Sequence, residues 1–165
     1  MRRAVFSILV GNSSGVLSRV AGMFSRRGYN IDSLTVGETL NPELSRMTIA
    51  VTGEDDVLEQ IEKQLNKLID VKEIVELPPH ESVCRELVMI KVECGPERRQ
   101  QVSSIADIFR ANIVDVSKES MIIALTGSLS KMNAFVELLE DFNITEIART
   151  GITGLARGSA DLNKM

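Results

Sequence analysis

The sequence predicts an α+β protein built from two tandem βαββαβ units. Three observations carry this. Hydrophobic spacing switches between the strand and helix periods in the same order twice along 165 residues. A stretch with two consecutive prolines, Pro78-Pro79-His80-Glu81-Ser82, separates the two passes. Glycines and asparagines then cluster where strand and helix hand over to one another, at Gly11 to Gly15 from strand to helix and at Gly28 to Asn30 from helix to strand. Units of this order fold as split-βαβ, ferredoxin-like sandwiches, an antiparallel sheet with two helices on one face.

Each element follows from its pattern. Ala4 to Val10 is an apolar run ended by Gly11, a strand buried on both faces or at an interface. Val16, Leu17, Val20, Met23 and Phe24 then make one helical stripe, with Ser18, Arg19, Ser25 and Arg26 opposite. Ser13 or Ser14 can cap its start, and Gly28 suits the left-handed residue past its end. Ile31 to Val36 reads as a second strand, and Gly37 to Pro42 as a turn. Met47, Ile49 and Val51 alternate with Arg46, Thr48 and Ala50, a half-buried third strand. Val57, Leu58, Ile61, Leu65, Leu68 and Ile69 stripe a second helix, whose outer face sets Glu59 four residues before Lys63. Val71, Val75 and Leu77 close the unit.

The second pass repeats the order with little shared sequence. Leu87 to Cys94 is a strand and Val102, Ile105, Ala106 and Phe109 stripe a helix. Ile113 to Val116 and Met121 to Leu125 form a strand pair, Met132 to Leu139 a helix, and Ile144 to Arg149 a last strand. The expected domains are therefore 1–77, a linker over 78–85, a second domain over 86–150, and a partly ordered tail over 151–165. Each unit has roughly 65 to 75 residues, a marginal core alone. A sheet bare on one face, or an open edge strand, is a liability that a second copy removes. A homodimer is expected on those grounds.

Composition narrows function. With 44% hydrophobic and 25% charged residues the chain is globular. A net charge of −4 argues against nucleic acid as partner. An RNA reader on this scaffold also needs aromatics on its sheet face, yet Phe24, Phe109 and Phe135 lie on helix stripes and tryptophan is absent. The start, Met1 to Val10, is too short for a secretory leader, and no segment is apolar for long enough to span a bilayer, so a cytoplasmic location is expected. Cys84, Cys94 and His80 lack the count and spacing of a zinc set, so no metal is expected. The single histidine lies in the linker, and the acidic residues at 54–62 start and flank a helix. No catalytic constellation results, so catalytic residues are expected to be none.

The loop Gly11-Asn12-Ser13-Ser14-Gly15-Val16-Leu17 is the chemical feature that remains. A glycine-bearing loop at a helix N-terminus leaves backbone N–H groups for an anion. It is not a phosphate loop, which needs four residues between its glycines and then Lys and Ser/Thr. A plain tight turn accounts for it equally well. Asn12 and Asn30, however, offer donors and acceptors for a group carrying both ammonium and carboxylate. Val16, Leu17 and Ile31 offer an apolar wall for a branched side chain.

Beyond this loop the residues carry a resemblance. Asn12-x-Ser14-Gly15-Val16-Leu17-Ser18-Arg19-Val20, then Phe24-x-Arg26-Arg27-Gly28-Tyr29-Asn30-Ile31-x-Ser33-Leu34-Thr35-Val36, then Leu44-Ser45-Arg46-Met47-Thr48-Ile49, and finally Glu146-Ile147-Ala148-Arg149-Thr150-Gly151 resemble small, regulatory subunits of acetolactate (acetohydroxyacid) synthase. The resemblance implies an ACT domain over 1–77 that binds valine or a related branched-chain amino acid at a dimer interface. It implies Asn12, Gly15, Val16, Leu17, Asn30 and Ile31 as ligand-facing. It also implies a catalytic large subunit that this chain activates and renders open to feedback inhibition, with thiamine diphosphate, Mg and FAD in that partner and no cofactor here. A stand-alone ACT-type sensor acting on another enzyme is the alternative. The second unit has Cys94-Gly95-Pro96-Glu97-Arg98-Arg99 at the equivalent junction. Its acid and missing asparagine imply no amino-acid site there, and a role in holding the dimer or meeting the large subunit.

Overall fold

The computed structural model describes residues 1–159. The chain forms two compact units, one of Met1–Cys84 with the chain from Ile152 on, the other of Arg85–Gly151.

Unit 1 runs β1 (Arg2–Gly11), α1 (Val16–Arg26), β2 (Ser33–Glu38), β3 (Leu44–Gly53), α2 (Asp55–Asn66) and β4 (Val71–Glu76). Its sheet has the order β2-β3-β1-β4, antiparallel throughout. The two-residue alternation puts Phe6, Ile8 and Val10 of β1 and Met47, Ile49 and Val51 of β3 on one face. There they bury against Val16, Val20, Met23 and Phe24 of α1 and Leu58, Ile61 and Leu65 of α2. The opposite face carries Ser7, Leu9, Thr48 and Ala50, all buried, so it is not bare. Ile152, in the same unit, bonds to β2 of this sheet: its carbonyl accepts from Thr35 Oγ1 at 3.1 Å and its N–H donates to Ser33 Oγ at 3.3 Å.

Unit 2 repeats this plan. Strand β5 (Ser82–Glu93) leads in from unit 1, followed by α3 (Arg99–Phe109), β6 (Asn112–Val116), β7 (Ser120–Gly127), α4 (Leu129–Leu139), a 3-10 turn (Glu140–Phe142) and β8 (Ile144–Arg149). Its order is β6-β7-β5-β8. Both units break register at the same place: β1 against β4 between Leu9 and Val10, β5 against β8 between Lys91 and Val92. Val88, Ile90 and Val92 meet the helices, and Phe109 and Phe135 stack with centroids 5.2 Å apart. Leu87 and Met89, on the other face, stay exposed.

Three expectations change. Ile69 does not extend the α2 stripe. The helix ends at Asn66, and Ile69 is 87% exposed in the turn before β4. Residues Ser82–Arg85, read as linker, are already strand, leaving 78–81 as the irregular connection. The tail over 151–165 contains a strand, β9 (Thr153–Ala156), that pairs with β5. Gly154 permits this, because a Cβ there would sit 2.6 Å from Cys84 Sγ and 3.1 Å from the Val83 carbonyl. Residues 160–165 of the tail lie outside the described residues.

Candidate effector site at the first strand-to-helix junction

The junction is held from both sides by the backbone. Where β1 ends, the Gly11 N–H donates to the Asp70 carbonyl at 3.0 Å and the Asn12 N–H to the Glu43 carbonyl at 2.7 Å. The Asn12 side chain is also committed. Its Nδ2 donates to Pro42 O at 2.8 Å and to Glu38 Oε2 at 3.1 Å, pinning the loop to the β2–β3 turn, while Oδ1 takes no hydrogen bond among the described residues.

The serines do not cap α1. Its cap position is Gly15, at φ +86°, with no side-chain acceptor. Among the described residues the N–H groups of Leu17 and Ser18 therefore make no hydrogen bond, while that of Arg19 returns to Gly15 O at 2.9 Å. These open donors lie at the positive end of an 11-residue helix with no acid in its first turn. Val16 is 2% exposed, its side chain is spent in the core and its N–H donates to Ser13 O at 3.5 Å, so this expected ligand-facing residue presents little to a ligand within one chain. Leu17 is half exposed.

Two groups that sequence reasoning missed complete the surroundings. Arg19 lies across Gly15, with Nη1 2.8 Å from where a Cβ on Gly15 would stand. Its Nε and Nη2 hold the Asp70 carboxylate at 2.5 and 3.0 Å. The pairing keeps the Asp70 carboxyl below its usual range and raises the Arg19 guanidinium. Spacing could have announced Arg19, four residues from Gly15 and so one turn above it. Nothing local could have announced Asp70.

Asn30 and Ile31 lie at the other end of α1, past Gly28 at φ +68°. Asn30 is exposed and donates to Asp32 Oδ1 at 3.3 Å, while Ile31 is half-buried against the core. An 11-residue helix is about 16 Å long. The fold thus brings Asn12, Gly15, Val16 and Leu17 together and leaves Asn30 and Ile31 apart from them within one chain.

Unit 2 keeps the backbone of this junction and changes its chemistry. Glu93 N–H donates to Asn143 O and Cys94 N–H to Glu119 O, matching the Gly11 and Asn12 bonds. Buried Cys94 stands where Asn12 stands, and burial pushes its thiol up. Oxygens of Glu97 fold over Gly95, 2.6 and 2.8 Å from where its Cβ would be, and Arg98 stacks on Phe142. Among the described residues no group of three or more His, Cys, Asp or Glu could hold a metal, and no helix is long and apolar enough to cross a membrane.

Comparison with known proteins agrees with the repeat. A family model described as an AHAS small subunit-like ACT domain matches residues 6–73, and one described as the small subunit of acetolactate synthase matches residues 85–158. The chain belongs to the acetolactate synthase small-subunit family. A probable acetolactate synthase small subunit of Archaeoglobus fulgidus is 51% identical, over 93% of this chain and 96% of the relative. The acetolactate synthase small subunit of Mycobacterium bovis is 52% identical, over 92% and 90%. Among solved structures, the acetolactate synthase small subunit from Thermotoga maritima is 44% identical, with a TM-score of 0.88, over 97% of this chain and all of that one. Within this family unit 1 is the ACT domain, and small-subunit membership implies a catalytic large-subunit partner.

Proposed function

We propose that the chain is the non-catalytic regulatory subunit of an acetolactate synthase. On this reading it raises the activity of the catalytic large subunit and confers feedback inhibition by binding valine or a related branched-chain amino acid. The observation that carries the reading is the Gly15 junction: open N–H donors at a helix N-terminus beside the amide of Asn12, whose Oδ1 takes no hydrogen bond among the described residues. Such a site offers donors for a carboxylate and acceptors for an ammonium, as a zwitterion needs. Thiamine diphosphate, Mg and FAD belong to the catalytic partner.

The separation of Asn12 from Asn30 supports a site shared between two copies. No single valine reaches both ends of α1. A two-fold relation that runs the two α1 helices antiparallel sets Asn12 of one copy beside Asn30 of the other. Occupancy then stiffens the dimer, and that difference is what the large subunit feels. Allosteric coupling of this kind is typically about 1–3 kcal/mol.

Complementation tests the shared site. Asn12→Ala and Asn30→Ala are each expected to lose valine binding by calorimetry. Mixing the two variants makes heterodimers in which one site carries both substitutions and the other carries neither. Binding should reappear at about one site per heterodimer with wild-type affinity. Loss that mixing does not repair contradicts a shared site.

A further inference from the structure

The chemistry of the Gly15 junction goes beyond backbone donors. The Arg19 guanidinium carries five N–H donors in one plane. Asp70 engages one edge, through Nε at 2.5 Å and Nη2 at 3.0 Å. Among the described residues Nη1 makes no hydrogen bond, and it sits 2.8 Å from the position that a Gly15 side chain would fill. Asp70 also grips the loop at its other end, where its carbonyl takes the Gly11 N–H. One residue on the α2–β4 turn therefore fixes both where the loop begins and where the arginine points.

We propose that Arg19, aimed across Gly15 by Asp70, is the cationic partner of the effector's α-carboxylate. Asp70 is the positioning residue, and glycine at 15 is what leaves the guanidinium its place. The inference rests on the effector reading above. The carboxylate meets Nη1 together with the open N–H groups of Leu17 and Ser18, while the ammonium turns to Asn12 Oδ1 and to the Glu38 carboxylate that Asn12 already touches. A zwitterion is thus met by a cation on one side and an anion on the other. Arg suits this better than Lys, because its planar fork can hold Asp70 on one edge and still present the other.

The competing account is a plain clip: the pair ties α1 to the α2–β4 turn and touches no ligand. Valine and valinamide, which lacks the carboxylate charge, separate the two on the full-length chain. Wild type should bind valine well above valinamide. In Arg19→Met, valine affinity should fall about ten- to a hundredfold, the scale of one charge-assisted hydrogen bond, while valinamide binding stays unchanged. Arg19→Lys should recover part of the loss, and Asp70→Asn should weaken valine less than Arg19→Met does. If Arg19→Met weakens both compounds by the same factor, or leaves valine binding intact while Asn12→Ala abolishes it, the assignment of Arg19 is overturned. If wild type binds no branched-chain amino acid, or Asn12→Ala binds as well as wild type, the effector reading itself fails and Arg19 falls with it.

Discussion

Substituting Gly15 by alanine separates two reasons for glycine there. Gly15 sits at φ +86°, where a Cβ costs about 1–2 kcal/mol. The added Cβ would also stand 2.8 Å from Arg19 Nη1, so the guanidinium must swing away. That swing is cheap, because the crowding atom is the far end of a flexible, half-exposed side chain. Backbone strain therefore dominates the stability cost. In a chain of this size each kcal/mol lowers Tm by roughly 2–4 °C, so Gly15→Ala should melt about 2–8 °C below wild type. Differential scanning calorimetry measures this, with Gly11→Ala as control. A Cβ added at Gly11 would meet no atom within 4 Å, and Gly11 has no positive φ, so its substitution should be near neutral. In an Arg19→Ala background the Gly15→Ala cost should persist nearly whole. A cost that vanishes in that background, or a Gly15→Ala protein as stable as wild type, refutes the assignment to backbone strain.

Other consequences follow from the same geometry. Gly154→Ala forces a Cβ against Cys84 Sγ at 2.6 Å and the Val83 carbonyl at 3.1 Å, and should destabilise by about 1–3 kcal/mol in a denaturant titration. In unit 2, Glu86 is 5% exposed and accepts both Nε and Nη2 of Arg149, so Arg149→Met strands a buried carboxylate and should cost about 1–3 kcal/mol, partly recovered by adding Glu86→Gln. Asp70 and Glu146 have carboxyls held below their usual range by Arg19 and Lys91. A depressed carboxyl stabilises the fold above its unfolded value and loses that contribution as pH falls through the folded one, so stability should drop below about pH 4. Arg19→Met and Lys91→Met should each flatten that acid limb in melts taken from about pH 6 down to about pH 2.5.

Much of the fold is legible because the period of the hydrophobic pattern changes at every element. Phe6, Ile8 and Val10 against Val20, Met23 and Phe24 mark strand and helix without any tertiary information. Glu59 and Lys63 pair as their spacing says. The misses are tertiary. Ile69 fits the helical stripe, but α2 ends at Asn66, and its apolar side chain is left on the surface. Ser13 and Ser14 have cap chemistry, yet a left-handed Gly15 takes the cap position and leaves both serines exposed. Strand β9 is four residues with two exposed side chains, a pattern no periodicity resolves, and its place depends on Gly154 meeting Cys84. At the candidate site, Asn12 and Gly15 stand out as residue types. Asp70 and Glu38 are far beyond Gly15 along the chain and join the loop only through the sheet order that sets β4 and the β2–β3 turn beside β1's end.

On the proposed function, amino-acid occupancy of this chain is read out as the activity of another protein. Reconstitution measures it most directly. The purified acetolactate synthase large subunit is assayed alone, with this chain, and with this chain under a valine titration. Adding the chain should activate the large subunit, and valine should then inhibit it. With Asn12→Ala that inhibition should disappear while activation remains. A large subunit whose rate and valine response are the same with and without the chain would contradict the claim.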